Sequence, residues 1–253
     1  MRVAELWRYP VKSLQGERLS LARVGAFGLD GDREWGILDA QTGHILSGRR
    51  APELLFGSAR LVPSGGVEIT LPDGQVLSGP GARTDAGLSR WLGRSVRLVR
   101  ADAVGAGVVE YFEDATDDAS RALTYAMPDG HLFDTLPLLL LTSGSIRAGQ
   151  ALHPDGVWNT RRFRPNVLID VGDDGWVEDE WCGRTVCVGE VVLSAVAPCP
   201  RCTMVTRPQP GLERDLDVFR VLARGHNANF GVWASVSTGG VVHLDDEVAL
   251  ATA

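Results

Sequence analysis

The segment "SAVAPCPRCTMVTRPQPGLERDLDVFR", residues 194–220, joins an apolar, strand-like run to a charged helix through a loop that carries two cysteines. The run ends at Pro198. Cys199 and Cys202 follow with two residues between them, and Pro208 and Pro210 break the chain before the helix can start. Strand, cysteine loop and helix in that order leave three readings of the pair: half of a zinc site, a redox dithiol, or a loop that displays one thiolate.

Zinc needs four ligands, and Cys182-x4-Cys187 together with Cys199-x2-Cys202 supplies that count. The spacing argues against it. Cys187 lies between Val186 and Val188 in an alternating run, so Cys182 and Cys187 read as small buried hydrophobes. A redox pair belongs at the start of a helix directly after a strand, and here the prolines delay the helix. A displayed thiolate remains, beside the blander reading of an incidental pair on a loop. Arg201 and Arg207 flank Cys202, and nearby cations favour thiolate over thiol. A soft, exposed thiolate suits a soft or high-valent metal.

Outward from this segment, "LPLLLLTSGSI", "PNVLIDV", "TVCVGEVVLSAVAP" and "ANFGVWASVS" read as strands, and "GLERDLDVFRVLARG" as a helix with Leu212, Leu216, Phe219, Leu222 and Ala223 on one face. The first half is also strand-rich: "RVAELWRYPV", "DREWGILDA" and "SVRLVRA", with Pro72–Gly74 turning a hairpin between "GVEITL" and "QVLSG". A short helix is expected at "RTDAGLSRWLG", capped by Thr84 or Asp85 and ended by Gly93. Between residues 101 and 129 periodicity fades, which places a junction there. The expectation is an α+β, mostly β chain of two β-rich domains, 1–115 and 116–253, the second barrel-like and carrying the cysteine loop.

With 253 residues, 44% hydrophobic and 23% charged, the chain has an ordinary soluble globular composition. The apolar run Leu136–Leu141 is too short for a bilayer, and the N-terminal stretch lacks a signal-peptide core, so a cytoplasmic location is expected, without membrane association. A net charge of −7 disfavours nucleic acid and anionic membrane as partners. Any anion must be held by a few placed cations. All four cysteines fall in the last third, which in a reducing compartment points to metal or thiol chemistry over disulfides.

Such cations occur beside chain-turning residues. "YPVKSLQG" presents Lys12 and Ser13, "GLDGDREW" presents Arg33, and "RRFRPNVLID" presents Arg164 and Asn166 around Pro165. An arginine fork, a lysine point charge and neutral donors are suitable partners for phosphate. In "FDTLPLLLLTSGSI", Asp134 and Thr135 precede a buried-looking strand, and Thr142 and Ser143 stand where they can cap a short helix.

Taken in order, "YPVKSLQG", "GLDGDREW", "SGRRAPELL", "FRPN" and "CPRC" resemble the MOSC family, named for the C-terminal domain of molybdenum-cofactor sulfurase. The arrangement, with an N-terminal MOSC β-barrel domain, is similar to the amidoxime-reducing branch of that family. The resemblance implies a molybdenum-pterin (molybdopterin-type) cofactor whose metal is ligated by Cys202. It implies further cofactor contacts at Lys12, Ser13, Arg33, Asp134, Thr135, Arg164 and Asn166, and a catalytic part for Cys202 and Asp134, the latter as orienter or proton relay. The implied activity is reduction of N-hydroxylated or N-oxygenated small molecules with electrons from a separate ferredoxin- or cytochrome-type protein and its reductase. The alternative is a cofactor or sulfur carrier without turnover. Some relatives add an iron–sulfur domain after the MOSC domain, and no further cysteines follow Cys202 here. Three departures stand out: Arg207 where relatives carry an acid, Leu136 where some carry a small polar residue, and Asp245 in a turn where glycine is usual.

Overall fold

Alternating burial along "RVAELWR" and continuous burial along "LLLLT" mark two kinds of strand: one covered on a single face, the other on both. The computed structural model describes residues 1–251 apart from Ser64, Thr116 and Asp118. In chain order it contains β1 (Arg2–Arg8), β2 (Glu17–Leu19), β3 (Leu21–Gly25), β4 (Gly28–Leu29), β5 (Trp35–Asp39), β6 (Ser58–Leu61), β7 (Val67–Thr70), β8 (Val76–Ser78), α1 (Ala82–Leu92), β9 (Val96–Arg100), β10 (Val108–Phe112) and β11 (Ala122–Ala126). There follow β12 (Leu138–Thr142), α2 (Ser143–Leu152), α3 (Thr160–Phe163), β13 (Val167–Asp170), β14 (Thr185–Val188), β15 (Val191–Pro200), α4 (Leu216–Gly225), β16 (Asn229–Thr238), β17 (Gly240–His243) and β18 (Val248–Leu250). The fold is mostly β with peripheral helices, as expected.

The main sheet has eight strands in the order β18-β14-β15-β16-β12-β13-β1-β2. Only β12 and β13 pair in parallel, and α2 and α3 supply the crossover that a parallel pair needs. Its two ends approach each other: Val3 N–H donates to Asp246 O at 3.0 Å and Val248 N–H to Met1 O at 2.9 Å. This is a bridge and not a ladder, so the sheet is barrel-like without being closed. Leu138 and Leu140 face a core with Val3, Leu6, Val167, Ile169 and Val232, while Leu141 points into a second cluster with Trp158, Phe163, Phe219, Leu222 and Phe230. Each such side chain contributes roughly 1.5–3 kcal/mol through burial.

The pairings do not follow chain order. Strand β1 lies between β2 and β13, and β3 pairs with β17, so the first residues complete sheets built mainly by the last. The rest of the first half forms a β5–β9 pair, a β6-β7-β8 sheet and a β10–β11 hairpin, with a core of Val11, Leu14, Trp35, Ile37, Leu54, Ile69, Leu88 and Leu98. That hairpin occupies the stretch where sequence periodicity fades.

Two helix expectations need adjustment. The first helix ends at left-handed Gly93 as foreseen, but Gly81 is its N-cap, and Asp85 instead accepts from Leu98 N–H at 2.9 Å, tying the helix to β9. The second starts at Leu216, not near Leu212. Gln209 and Leu212 exchange backbone hydrogen bonds of 2.9 and 2.8 Å across Pro210 and Gly211, and Asp215 then caps by accepting from Asp217 N–H and Val218 N–H. Leu212 is therefore buried outside the helix, while Leu216 is exposed. Thr142 caps α2 by accepting from Ser145 N–H. Asp245 adopts φ 67°, the turn conformation that favours glycine and that aspartate tolerates. No helix among the described residues is long and apolar enough to cross a membrane.

Candidate active site

The loop after β15 is shaped by its prolines. Pro198 and Pro200 cannot donate to the ladder, and the pairing of β15 with β16 shifts register between Ala195 and Ala197 and again between Pro198 and Pro200. Arg201 fixes the end of the bent strand: Nε donates to Phe230 O and Nη1 to Phe163 O, each at 2.9 Å. Its charge is thus spent on backbone carbonyls rather than held beside Cys202. Cys199 is buried, and that burial pushes its thiol pKa up. Cys202 is half-buried, opens the 3-10 turn Thr203–Thr206 and lines a cavity. All four cysteines are free, and among the described residues they form no common metal-binding cluster.

The residue run after β1 meets that cavity from the other side. Lys12, 6% exposed, donates from Nζ to Leu132 O at 2.8 Å and to Asp134 Oδ1 at 2.5 Å. Ser13 Oγ accepts from Gly48 N–H at 2.9 Å. Tyr9 lies between two cations: the Arg33 guanidinium is 5.0 Å and that of Arg164 4.1 Å from its ring centroid. Arg33 also pairs with Asp32, and Arg164 Nη1 donates to Leu14 O at 2.7 Å. The strand-ending tyrosine therefore sets where both arginines point.

Asn166 is fully buried, and its amide is largely committed to backbone. Oδ1 accepts from Leu139 N–H at 3.1 Å and, at a long 3.5 Å, from Arg33 Nη1, while Nδ2 donates to Trp7 O at 3.3 Å. It staples β1, β12 and β13 beneath the site. Thr135 lies exposed at the rim beside Leu136.

Charge is unevenly distributed around the cavity. Among the described residues its lining includes six cations, Lys12, Arg33, Arg49, Arg162, Arg164 and Arg201, against the single acid Asp134. Burial would raise the Asp134 pKa, but Arg49, whose Nη2 donates to Oδ2 at 2.6 Å, and Lys12 overcome it and hold the carboxyl well below the usual range. Burial pushes Lys12 down, and Arg164 down to about 10, which leaves the guanidinium protonated near neutrality. Tyr111 packs on Arg49, 3.9 Å from ring centroid to guanidinium, and burial next to Asp134 pushes its phenol up.

All eight residues expected at the site, Lys12, Ser13, Arg33, Asp134, Thr135, Arg164, Asn166 and Cys202, line this one cavity. Arg49 and Tyr111 were missed as site residues. Arg49 was visible only inside "SGRR", and Tyr111 lies in the stretch without clear periodicity. Backbone strain marks the place as well. Among the described residues six non-glycine residues have left-handed φ, and three of them are Ser13 (70°), Arg33 (51°) and Arg164 (58°). Strain of this kind costs on the order of 1 kcal/mol or more per residue and persists where surroundings enforce it.

These residues fit a polyanionic cofactor with a soft metal. Arg164 Nη2 and Arg49 Nε are buried without a partner, the cations outnumber the acid, and a cysteine sulfur lies among them. A buried guanidinium N–H without an acceptor is costly, and an anion in the cavity would supply one.

Two domain families and several curated relatives match the chain. Residues 1–114 match the MOSC N-terminal beta barrel domain and residues 128–249 the MOSC domain. Mitochondrial amidoxime reducing component 2 of Bos taurus is 25% identical over 230 residues, covering 81% of this chain and 66% of the relative. The chain thus spans just under two thirds of that protein's length. Mitochondrial amidoxime-reducing component 1 of Homo sapiens is 27% identical, covering 98% of this chain and 82% of the relative. The crystal structure of the YUAD protein from Bacillus subtilis aligns with 98% of this chain and 94% of its own at 11% identity, with a TM-score of 0.49.

Proposed function

This chain belongs to the MOSC-domain family, and from that premise we propose that it is a molybdenum-cofactor-dependent reductase of N-oxygenated small molecules. The observation that carries the proposal is a cavity that brings Cys202 together with Lys12, Arg33, Arg49 and Arg164, where Arg49 Nε and Arg164 Nη2 are buried without a partner. The resemblance to amidoxime-reducing components supplies the reaction class.

In this reading Cys202 provides the protein ligand to molybdenum. Lys12, Arg33 and Arg164 bind the anionic groups of the pterin, with Ser13, Thr135 and Asn166 as neutral partners. The cofactor, when bound, would supply two-electron chemistry. Reduction of an N-hydroxylated compound breaks the N–O bond, takes up two electrons and two protons, and releases water. Asp134, ionised between Lys12 and Arg49, acts as the orienter that holds those cations in place, and its depressed pKa makes it a poor proton relay. Tyr111 keeps its phenolic proton and can donate a hydrogen bond into the cavity.

Electrons come from a separate ferredoxin- or cytochrome-type protein served by its own reductase, and the protein works in the cytoplasm. The division into domains 1–115 and 116–253 is part of the same proposal. It is supported by the two matched segments, which end at 114 and begin at 128, although Thr116 itself lies outside the described residues.

The deciding experiment measures molybdenum and pterin in wild-type and Cys202→Ala protein from a cofactor-competent host. Near-stoichiometric metal that is lost in the variant, with turnover of an N-hydroxylated compound by the wild type alone, is the expected result. A persulfide on Cys199 or Cys202 without turnover would favour the sulfur-carrier alternative.

A further inference from the structure

The turn Thr203–Thr206 separates two cavities. Cys202, Met204 and Val205 line the candidate active site, whereas Thr203 and Thr206 line a separate groove. Leu216, Phe219 and Ala223 of α4 form its apolar floor, and Arg220 and Arg224, one helical turn apart, line it too. Asp117 is its single acid among the described residues.

The groove presents unused polar capacity. Arg224 has neither an ion pair nor a hydrogen bond among the described residues. Among the described residues Arg220 pairs only with Asp217, at 3.1 Å and with both side chains 58% exposed, a geometry in which an ion pair is worth little. Thr203 is 5% exposed, yet its Oγ1 is buried without a partner. In a chain of net charge −7, this is a local cationic surface with an apolar centre, to which exposed Leu216 adds. That combination matches the core and rim of a protein interface.

We infer that this groove is the docking surface for an acidic one-electron carrier protein, whose carboxylates meet Arg220 and Arg224 while an apolar side chain covers Leu216. The inference rests on the reductase reading above. Two carriers, each oxidised by one electron, supply the pair that the nitrogen gains as the N–O bond breaks and the oxygen leaves as water with two protons from solvent. A carrier seated here touches Thr203, the covalent neighbour of Cys202, with consecutive Cα atoms about 3.8 Å apart. Electrons then enter through the loop that bears the sulfur, and the cavity on the other side stays open for substrate.

A second surface offers the natural comparison. Phe27, 64% exposed, packs at a tilt on His131 with ring centroids 4.1 Å apart, and His131 stacks at 5.1 Å on Phe133, which lines the candidate active-site cavity. The depression around it is lined by Asp30, Asp32, Glu34 and Asp102, with Arg33 and Arg100 already paired to Asp32 and Glu34. Its charge is wrong for an acidic partner.

The test uses cofactor-loaded protein and an aryl amidoxime, with electrons from reduced methyl viologen or from either of two acidic carriers, a reduced [2Fe–2S] ferredoxin and a reduced cytochrome b5. The variants are Arg220→Glu/Arg224→Glu and Phe27→Ala. The expected result is that the double charge reversal slows carrier-driven turnover at low salt about tenfold or more and flattens its salt dependence. The viologen-driven rate should stay unchanged, and Phe27→Ala should alter neither rate. Full carrier-driven activity in the charge-reversed protein would overturn the inference, as would a loss confined to Phe27→Ala, or wild-type turnover with viologen but with neither carrier. No turnover even with viologen would instead sink the reductase reading, and the docking assignment with it.

Discussion

Arg49 reaches Asp134 across 85 positions of sequence and donates from Nη2 to Oδ2 at 2.6 Å. Lys12 holds the other carboxylate oxygen, so one acid ties the loop after β5 and the run after β1 to the segment that enters β12. Removing it leaves two buried cations facing each other.

Asp134→Asn should therefore destabilise the fold by about 2–4 kcal/mol, below the full cost of breaking a buried ion pair from one side because the carboxylate is partly exposed. Urea unfolding at neutral pH checks this, and an unchanged midpoint would show that the cations relax into solvent.

The same carboxylate sets an acid limit. Its folded pKa is depressed, so its stabilisation is fully present above the unfolded value near 3.9 and is lost as pH falls through the folded value. Wild type should lose stability between about pH 5 and pH 2 more steeply than Asp134→Asn, as read from thermal midpoints across that range.

Ser13→Gly isolates the strained backbone. Glycine accepts φ 70° freely, which offsets the lost hydrogen bond from Gly48, so stability should change by less than about 1 kcal/mol. Molybdenum and pterin retention should nevertheless fall, as metal analysis and cofactor fluorescence after gel filtration would show.

Cys199→Ala should keep its metal while Cys202→Ala loses it. Cys199 is buried with its thiol pKa raised, whereas Cys202 lines the cavity. Equal metal loss in both would mean that the two sulfurs act together.

Gly231→Ala should be among the most damaging single changes near the site, at about 2–4 kcal/mol. A Cβ there would lie 2.6 Å from Leu140 O, on a residue whose φ is +78°. Soluble yield and chemical denaturation report it.

Local chemistry was legible in the sequence where it is set by neighbours along the chain. The hairpin at Pro72–Gly74, the left-handed stop at Gly93 and the Thr142 cap depend on residues a few positions apart, and each forms. The start of α4 was misjudged because helical spacing from Leu212 concealed a tight turn that only the Gln209–Leu212 pairing reveals. The eight expected residues that line the cavity were legible as short motifs beside turns. Arg49 and Tyr111 escaped because their importance comes from meeting Asp134 across long stretches of chain, and local periodicity carries no trace of that. Arg201 was read as an influence on Cys202, but a guanidinium able to reach two carbonyls became an anchor.

The seating of β1 has an implication for how the molecule is made. Strand β1 can pair early with its neighbour β2, but its other partners lie in β13 and, through Arg2, at Glu247, so much of its edge must wait until most of the following chain is synthesised. Such non-local pairing slows folding and exposes a strand edge in the meantime. Lys12 and Ser13 follow closely on that strand, so the cavity gains this part of its lining only once the strand is seated in the sheet. Cofactor loading should thus report the last event of assembly, and a nascent or nicked chain that has not seated its first strand should remain empty.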